Sequence, residues 1–424
     1  MGAAGPPSLV NDSRARILLV TRNLPPLVGG MERLNWHMAE ELAKFADVRV
    51  VGPKGSAALA PAGVEVREAP LAPLWKFLWR ARVLARSEAK TWRPQIVLAG
   101  SGLTAPIACS AAGVCGARTA VYVHGLDVAV KHPLYRAGWL PAIRRADRVI
   151  ANSHATAALC HDIGVDPTRI GIVHPGVELP AGAMSVDASS QARDEVGSPP
   201  SKETGSREVR GEAALRQRPG FDGYPLLLSV GRLSARKGLR EFVSRALPRI
   251  VSAQPRALLL IVGGAPSQAL HAQTQSRESI QTAADAAGVG KHIRFLGKVA
   301  DDELSGLYRA ADVHVFPIRS VTGDPEGFGM VAVEAAAHGL STVAFATGGV
   351  VDAVGEGQSG YLVTPGDYTA FADAALKAIA ARDSLRSGCV AFSQSFAWPV
   401  FGERMTTELL GIQPSTSSAQ VPPE

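Results

Sequence analysis

The stretch Asp324–Gly339, DPEGFGMVAVEAAAHG, places Glu326 and Glu334 on either side of the turn Gly327-Phe328-Gly329. The two glycines allow close backbone approach, and MVAVEAAAHG reads as a strong helix ending at Gly339. A helix start attracts phosphate oxygens through its free N–H groups and its dipole. A carboxylate aimed at that phosphate would repel it, so these acids make sense as acceptors for neutral hydroxyls nearby. Phosphate flanked by hydroxyl-bearing rings describes a nucleotide sugar. A surface acid or a helix-start acid would explain either glutamate alone, but it explains the set poorly.

Three further stretches carry chemistry-bearing residues just after apolar runs. In SVGRLSARKGL (229–239), Arg232 and Lys237 follow Gly231. A guanidinium grips phosphate bidentately and an ammonium adds a point charge, together enough to neutralise a departing diphosphate. Two solvated cations in a surface loop would have the same spacing. In LPPLVGGMER (24–33), Gly29 and Gly30 offer bare N–H groups at a helix start, or simply a turn that begins a helix. In YVHGLD (122–127), His124 and Asp127 close an inner strand. A histidine there can bind a sugar hydroxyl or act as acid or base, and it can equally be structural. Neither LPPLVGG nor IVGGAPSQ matches G-x-G-x-x-G, and no Asp-x-Asp or metal-spaced His/Cys set stands in a suitable place.

These residues need strands to position them. Apolar runs at 16–22, 48–53, 95–100, 119–125, 148–153 and 169–176 alternate with helical patterns, as do runs at 225–231, 257–263, 292–297, 313–317 and 342–347. This is the signature of α/β folding around parallel sheets covered on both faces. Residues 183–220 interrupt it with Ser, Gly and charge, a linker composition. Two doubly wound, Rossmann-like domains follow: 14–180, then a linker or insert at 181–223, then 224–391. In open parallel sheets ligands bind beyond the carboxyl ends of the strands, where all four stretches lie.

Charge is uneven. Residues 1–180 carry 21 Lys and Arg against 13 Asp and Glu, leaving 23 against 25 of the chain's 44 and 38. A basic first half suits an anionic partner, phosphate or a membrane surface; no nucleic-acid module accompanies it, so nucleic acid is not expected. The four cysteines have neither zinc spacing nor disulfide density. No apolar run approaches the ~18 residues of a spanning helix. The start lacks a signal-peptide core, and a cytoplasmic protein is expected.

Taken together, E-x7-E within EGFGMVAVEAAAHG, VGRLSARKGL, GGME, VHGLD, ANSHAT and VHPGVE resemble the family 4 retaining glycosyltransferases of GT-B fold. FSQSFAWPVFGERMTTELLG (392–411) is similar to that family's C-terminal helix, which crosses back to the first domain, and 412–424 would be a disordered tail. The longer insert and His-Pro-Gly in place of Asn-Gly depart from the family pattern. The resemblance implies that Arg232 and Lys237 hold the donor diphosphate. Glu326 would contact donor-sugar hydroxyls with the backbone of Gly327, Phe328, Gly329 and Met330, and Glu334 would accept from ribose. Gly29 and Gly30 would approach the phosphates, and His124 with Asp127 would bind the donor sugar or help place the nucleophile. It further implies no cofactor and no metal, only a nucleotide-sugar co-substrate, GDP-mannose or a UDP-sugar. The acceptor would be a glycan, a lipid-linked sugar or a glycolipid bound by the first domain. An epimerase of the same architecture would need acid/base carboxylates that the first half does not offer. A nicotinamide dehydrogenase would need the missing glycine fingerprint, and a non-catalytic nucleotide-sugar sensor would not need the intact charged set.

One segment stands outside this scheme. LAPLWKFLWRARVLARSEAK (71–90) sets Leu71, Leu74, Trp75, Leu78 and Trp79 along one helical side with Lys and Arg beside it. That side either covers the sheet, the favoured expectation, or meets an anionic membrane peripherally on its inner face.

Overall fold

The computed structural model describes residues 14–180, 223–264 and 275–411. The expected insert, apart from Gly223, and the expected tail at 412–424 lie outside the described residues. The chain forms two compact units, one of Met1–Tyr122, Pro141–Val149 and Gly402–Glu424, the other of Val123–Leu140 and Ile150–Phe401.

The first sheet has strands β1 (Arg16–Val20), β2 (Asp47–Pro53), β3 (Glu65–Ala69), β4 (Ile96–Ala99), β5 (Arg118–Val123), β6 (Arg148–Ala151) and β7 (Ile170–Ile172), in the order β3-β2-β1-β4-β5-β6-β7. The second has β8 (Leu226–Val230), β9 (Leu258–Val262), β10 (Ile293–Gly297), β11 (Val313–Phe316), β12 (Thr342–Phe345) and β13 (Gly360–Val363), in the order β10-β9-β8-β11-β12-β13. β1 pairs in parallel with β2 and β4, Ile17 standing opposite Val48 and Ile96. β8 likewise runs parallel to β9 and β11. Each order reverses beside its first strand, which makes the loops after β1, β8 and β11 the places where a ligand fits.

The central strands are predominantly apolar because both faces are covered, with Ser229 of β8, His314 of β11 and Thr342 of β12 as buried polar exceptions. In β8, Leu227 packs with Leu259, Val313 and Phe242 on one side. Leu226, Leu228 and Val230 pack with Tyr308 and Ala335 on the other. In the first unit the helix Gly30–Phe45 buries Leu34, Met38 and Leu42. Two strands were not among the apolar runs. β3, EVREA, is mostly charged and stands at the sheet edge, and β13, GYLV, is a four-residue edge strand.

The C-terminal segment is two helices, Arg382–Gln394 and Trp398–Leu410, rather than one helix from 392. Trp398 starts the second, its indole lying where a side chain on Gly176 would have to go. Farther along, Glu408 pairs with Arg148, and the Leu409 carbonyl accepts from Arg118 Nη2 at 2.7 Å.

The helix Leu74–Trp92 corrects an expectation. Its buried line is Phe77, Ala81, Ala85 and Ala89, packed on the equally small-sided helix Ala105–Cys115. Trp75 and Trp79 are 65% and 64% exposed. The alanines allow a close helix–helix approach that leaves no room for indoles, so the tryptophans do not cover the sheet.

Candidate functional site

The site residues of the second unit are positioned by the ends of β8 and β11. After β8, Gly231 adopts φ +143°, and its carbonyl lies so close to Gly263 that no Cβ fits there. The chain makes a single turn at Ala235–Lys237 and passes Gly238 (φ +67°), where a Cβ would meet the Pro317 carbonyl. It then enters the helix Leu239–Arg245. This sharp return folds Lys237 back over the end of β11, with Nζ 4.4 Å from the Phe316 ring centre.

Lys237 meets Glu326 there. Nζ lies 3.0 Å from Glu326 Oε2, and Arg236 Nη1 lies 2.9 Å from the same oxygen. Arg236 also donates to the Pro325 carbonyl at 3.0 Å and stands 3.5 Å from Asp324. The side chains of Arg236, Lys237 and Glu326 keep only 10%, 14% and 12% of their surface exposed. Burial holds the Lys237 ammonium below its ordinary pKa, aided by Arg236 and Arg232 and opposed by Glu326. Burial would raise the Glu326 carboxyl, but Lys237 and Arg236 overcome it and hold the group below the usual range. Arg232 is exposed and acts on both through its field. Glu326 is therefore an anion at neutral pH, gripped by two cations with a third at the rim. Arg236 stood unremarked in the sequence, one position before Lys237.

The Glu326–Gly329 loop is held by close backbone contacts. Gly349 N–H donates to the Glu326 carbonyl at 3.0 Å, and a Cβ on Gly349 would strike the Gly327 carbonyl. Gly327 packs against the His124 carbonyl and the Asn152 amide, where alanine would not fit. Gly329, at φ +97°, caps the helix Met330–Ala337. Phe328 is buried and stacks on His174, with centroids 5.2 Å apart. Glu334, within the helix, accepts from the Tyr308 hydroxyl at 3.2 Å.

His124 and Asp127 come to this loop. The Asp127 carboxylate accepts from the His124 backbone N–H at 3.0 Å, which fixes the turn after β5. Asp127 thus has a local positioning role that its spacing alone did not reveal. Gly29 and Gly30 belong to the other unit. Gly29 is extended, φ 166°, and precedes the helix Gly30–Phe45; a side chain on it would press on the Glu32 carboxylate, which accepts from Asn23 at 2.9 Å.

Tertiary structure also joins two histidines twenty residues apart. Asp352 accepts from the His154 backbone N–H at 2.6 Å and lies 3.1 Å from His154 Nδ1 and 3.9 Å from His174 Nδ1. Among the described residues this is the one group with three metal-type donors close together. ANSHAT and VHPGVE each carry one of the histidines, but neither stretch has ligand spacing by itself.

Comparison with known proteins bears on the family and the fold. A family model described as "Glycosyl transferases group 1" matches residues 212–390, and one described as "Glycosyltransferase Family 4" matches 28–180. The chain is 31% identical over 284 residues to a D-inositol 3-phosphate glycosyltransferase of Thermomonospora curvata, covering 64% of this chain and 59% of that protein. It is 28% identical over 379 residues to a GDP-mannose-dependent alpha-(1-6)-phosphatidylinositol monomannoside mannosyltransferase of Mycolicibacterium smegmatis, covering 84% and 87%. The chain spans about half to three-fifths of the length of the inositol-phosphate relatives it matches. Its fold resembles Anabaena Alr3699/HepE, solved in complex with UDP, at TM-score 0.71 and 20% identity over 94% of this chain and all of that one. It also resembles a sucrose-phosphate synthase of Thermosynechococcus elongatus at TM-score 0.68 and 20% identity, over 93% and 98% of the two chains. With one model on each half, in order, and two Rossmann-like sheets of GT-B type, the chain belongs to the family 4 glycosyltransferases.

Proposed function

We propose that the protein is a retaining, metal-independent hexosyltransferase, moving a sugar from a nucleotide donor to a glycan, a lipid-linked sugar or a glycolipid. The buried cluster of Arg236, Lys237 and Glu326 at the glycine loop carries this reading. A donor diphosphate entering beside Lys237 supplies negative charge that favours the ammonium, reversing the pull of burial. The cations then hold the charge that grows on the leaving phosphate. Glu326, kept ionised, has acceptor capacity left for a donor-sugar hydroxyl. Glu334, half-buried one helical segment on, accepts from ribose, while His124 meets the sugar from the turn after β5. Retention is what the family resemblance implies. With no carboxylate assigned as nucleophile, it requires the acceptor hydroxyl to attack the anomeric carbon on the face the diphosphate leaves, the carbon–phosphate-oxygen bond breaking as the new bond forms and the hydroxyl proton passing to the departing phosphate.

GDP-mannose is the favoured donor, supported by the relative matched along most of both chains. The test offers GDP-mannose, UDP-glucose and UDP-N-acetylglucosamine with inositol phosphate, phosphatidylinositol and polyprenyl-phosphate-sugar acceptors, and measures nucleoside diphosphate release and the product's anomeric form. Retained product from GDP-mannose is expected. Inverted product, or donor binding without transfer to any acceptor in the panel, would overturn the reading, the latter in favour of a nucleotide-sugar sensor.

A further inference from the structure

We propose that the exposed face of the helix Leu74–Trp92 docks on an anionic phospholipid surface. Trp75, Trp79 and Val83 recur every four residues and form one outward line, exposed by 65%, 64% and 40%. Arg82, Arg86 and Lys90 form a second line beside it at the same spacing, and Lys76 stands next to Trp75 with Nζ 5.4 Å from its ring centre. Between the two lines lies an open groove of about 510 Å³, lined by Trp79, Arg82, Val83, Arg86, Ser87 and Lys90. Arg86 is braced on this face by the carbonyl and hydroxyl of Ser110, at 3.2 and 3.0 Å.

The helix's one acid, Glu88, turns away to accept from Arg49 and Arg67 at 2.9 and 2.8 Å. The outward face therefore joins indoles to cations with no carboxylate among them. Indole belongs at the headgroup level of a bilayer, and the cations attract lipid phosphate. A neutral sugar needs hydrogen-bond acceptors as well as stacking surfaces, and this face offers only the hydroxyls of Ser87 and Thr91, the latter already donating to the Ser87 carbonyl. The first 180 residues, with 21 Lys and Arg against 13 Asp and Glu, draw the same kind of partner. Among the described residues no helix is long and apolar enough to cross a membrane, so this contact is interfacial.

Sedimentation of the full chain with vesicles tests the surface without any catalytic readout, so its failure is distinct from failure of the proposed transfer. Phosphatidylglycerol–phosphatidylcholine vesicles at low salt should carry the protein down, while pure phosphatidylcholine should not. Binding should fall away at ~0.5 M salt, where screening reaches only a few ångströms. The double variant Trp75→Ser, Trp79→Ser and the double variant Arg82→Glu, Lys90→Glu should each weaken vesicle binding roughly tenfold or more, with unchanged circular dichroism, because these side chains are exposed. Protein that stays in the supernatant with anionic vesicles at low salt overturns the proposal. So does full-strength binding by the tryptophan variant, or capture by an acidic polysaccharide with no vesicle binding.

Discussion

At the scale of single residues, the site rests on an ion pair that must be shared with a substrate. Lys237 is buried against Glu326 and Phe316, yet Arg236 also holds the Glu326 carboxylate. Lys237→Ala should therefore leave the unit folded, because Glu326 keeps a partner. It should lower transfer roughly 10²- to 10³-fold, since the departing diphosphate loses its closest cation. Arg232→Lys should not restore what Arg232→Ala loses, as a bidentate fork becomes a point charge. Near-normal turnover in Lys237→Ala would remove Lys237 from the diphosphate. The two glutamates should separate as well. Glu326→Gln should lose most transfer while still binding free nucleoside diphosphate, because it removes a sugar contact and also a competitor for Lys237. Glu334→Ala should weaken nucleotide binding instead, since the proposed function gives this carboxylate, held by the Tyr308 hydroxyl, to the ribose and not to the reacting sugar. Calorimetric titration of both variants decides this; equal affinities would contradict the division of roles.

At the scale of elements, β11 carries the site and is sensitive to acid. His314 is fully buried in this strand, with Nδ1 3.0 Å from Thr342 Oγ1 and Nε2 without a hydrogen-bond partner. Burial, with a smaller contribution from Lys237, lowers its pKa to about 3. The unfolded chain takes up this proton near pH 6.5 and the folded one does not, so stability present above pH 6.5 is lost as pH falls towards 3. The loss reaches about 3 kcal/mol near pH 4.5. His314→Phe should flatten the acid side of the stability curve, in urea titrations at pH 7 and pH 4.5. Equal acid losses in both proteins would show that His314 does not set the slope. The glycine loop is likewise a property of elements, because Gly327 and Gly349 are required by backbones on neighbouring segments.

At the scale of the whole molecule, the described residues present three cations and two acids around one loop, Arg232, Arg236 and Lys237 with Asp324 and Glu326. Cations of this kind do for a diphosphate what a divalent ion does elsewhere. Transfer should therefore persist in excess chelator. Activity abolished by chelator and restored by Mg²⁺ or Mn²⁺ would refute this. The His154, His174 and Asp352 group includes neither Lys237 nor Glu326. Loss of activity in His154→Ala that only added metal reverses would point to that group.

The sequence by itself determined two parallel-sheet domains, because apolar runs covered on both faces have no other use, and it determined the glycine loop with its acids. It also placed Arg232, Lys237 and His124 at strand ends, since strand ends are visible as the places where apolar runs stop. Which face of the helix Leu74–Trp92 is buried was not visible. Tryptophan and leucine at helical spacing mimic a core, and only the packing of Ala81, Ala85 and Ala89 against another small-sided helix turns the indoles outward. Nor was the partner of Glu326, because Lys237 and Arg236 stand some ninety positions away and reach it only after Gly231 and Gly238 bend the chain. The joining of His154, His174 and Asp352 behind Phe328 has the same origin. Local pattern reports what a residue's neighbours in the chain require, whereas charge pairing and burial depend on distances that close only when the sheets assemble.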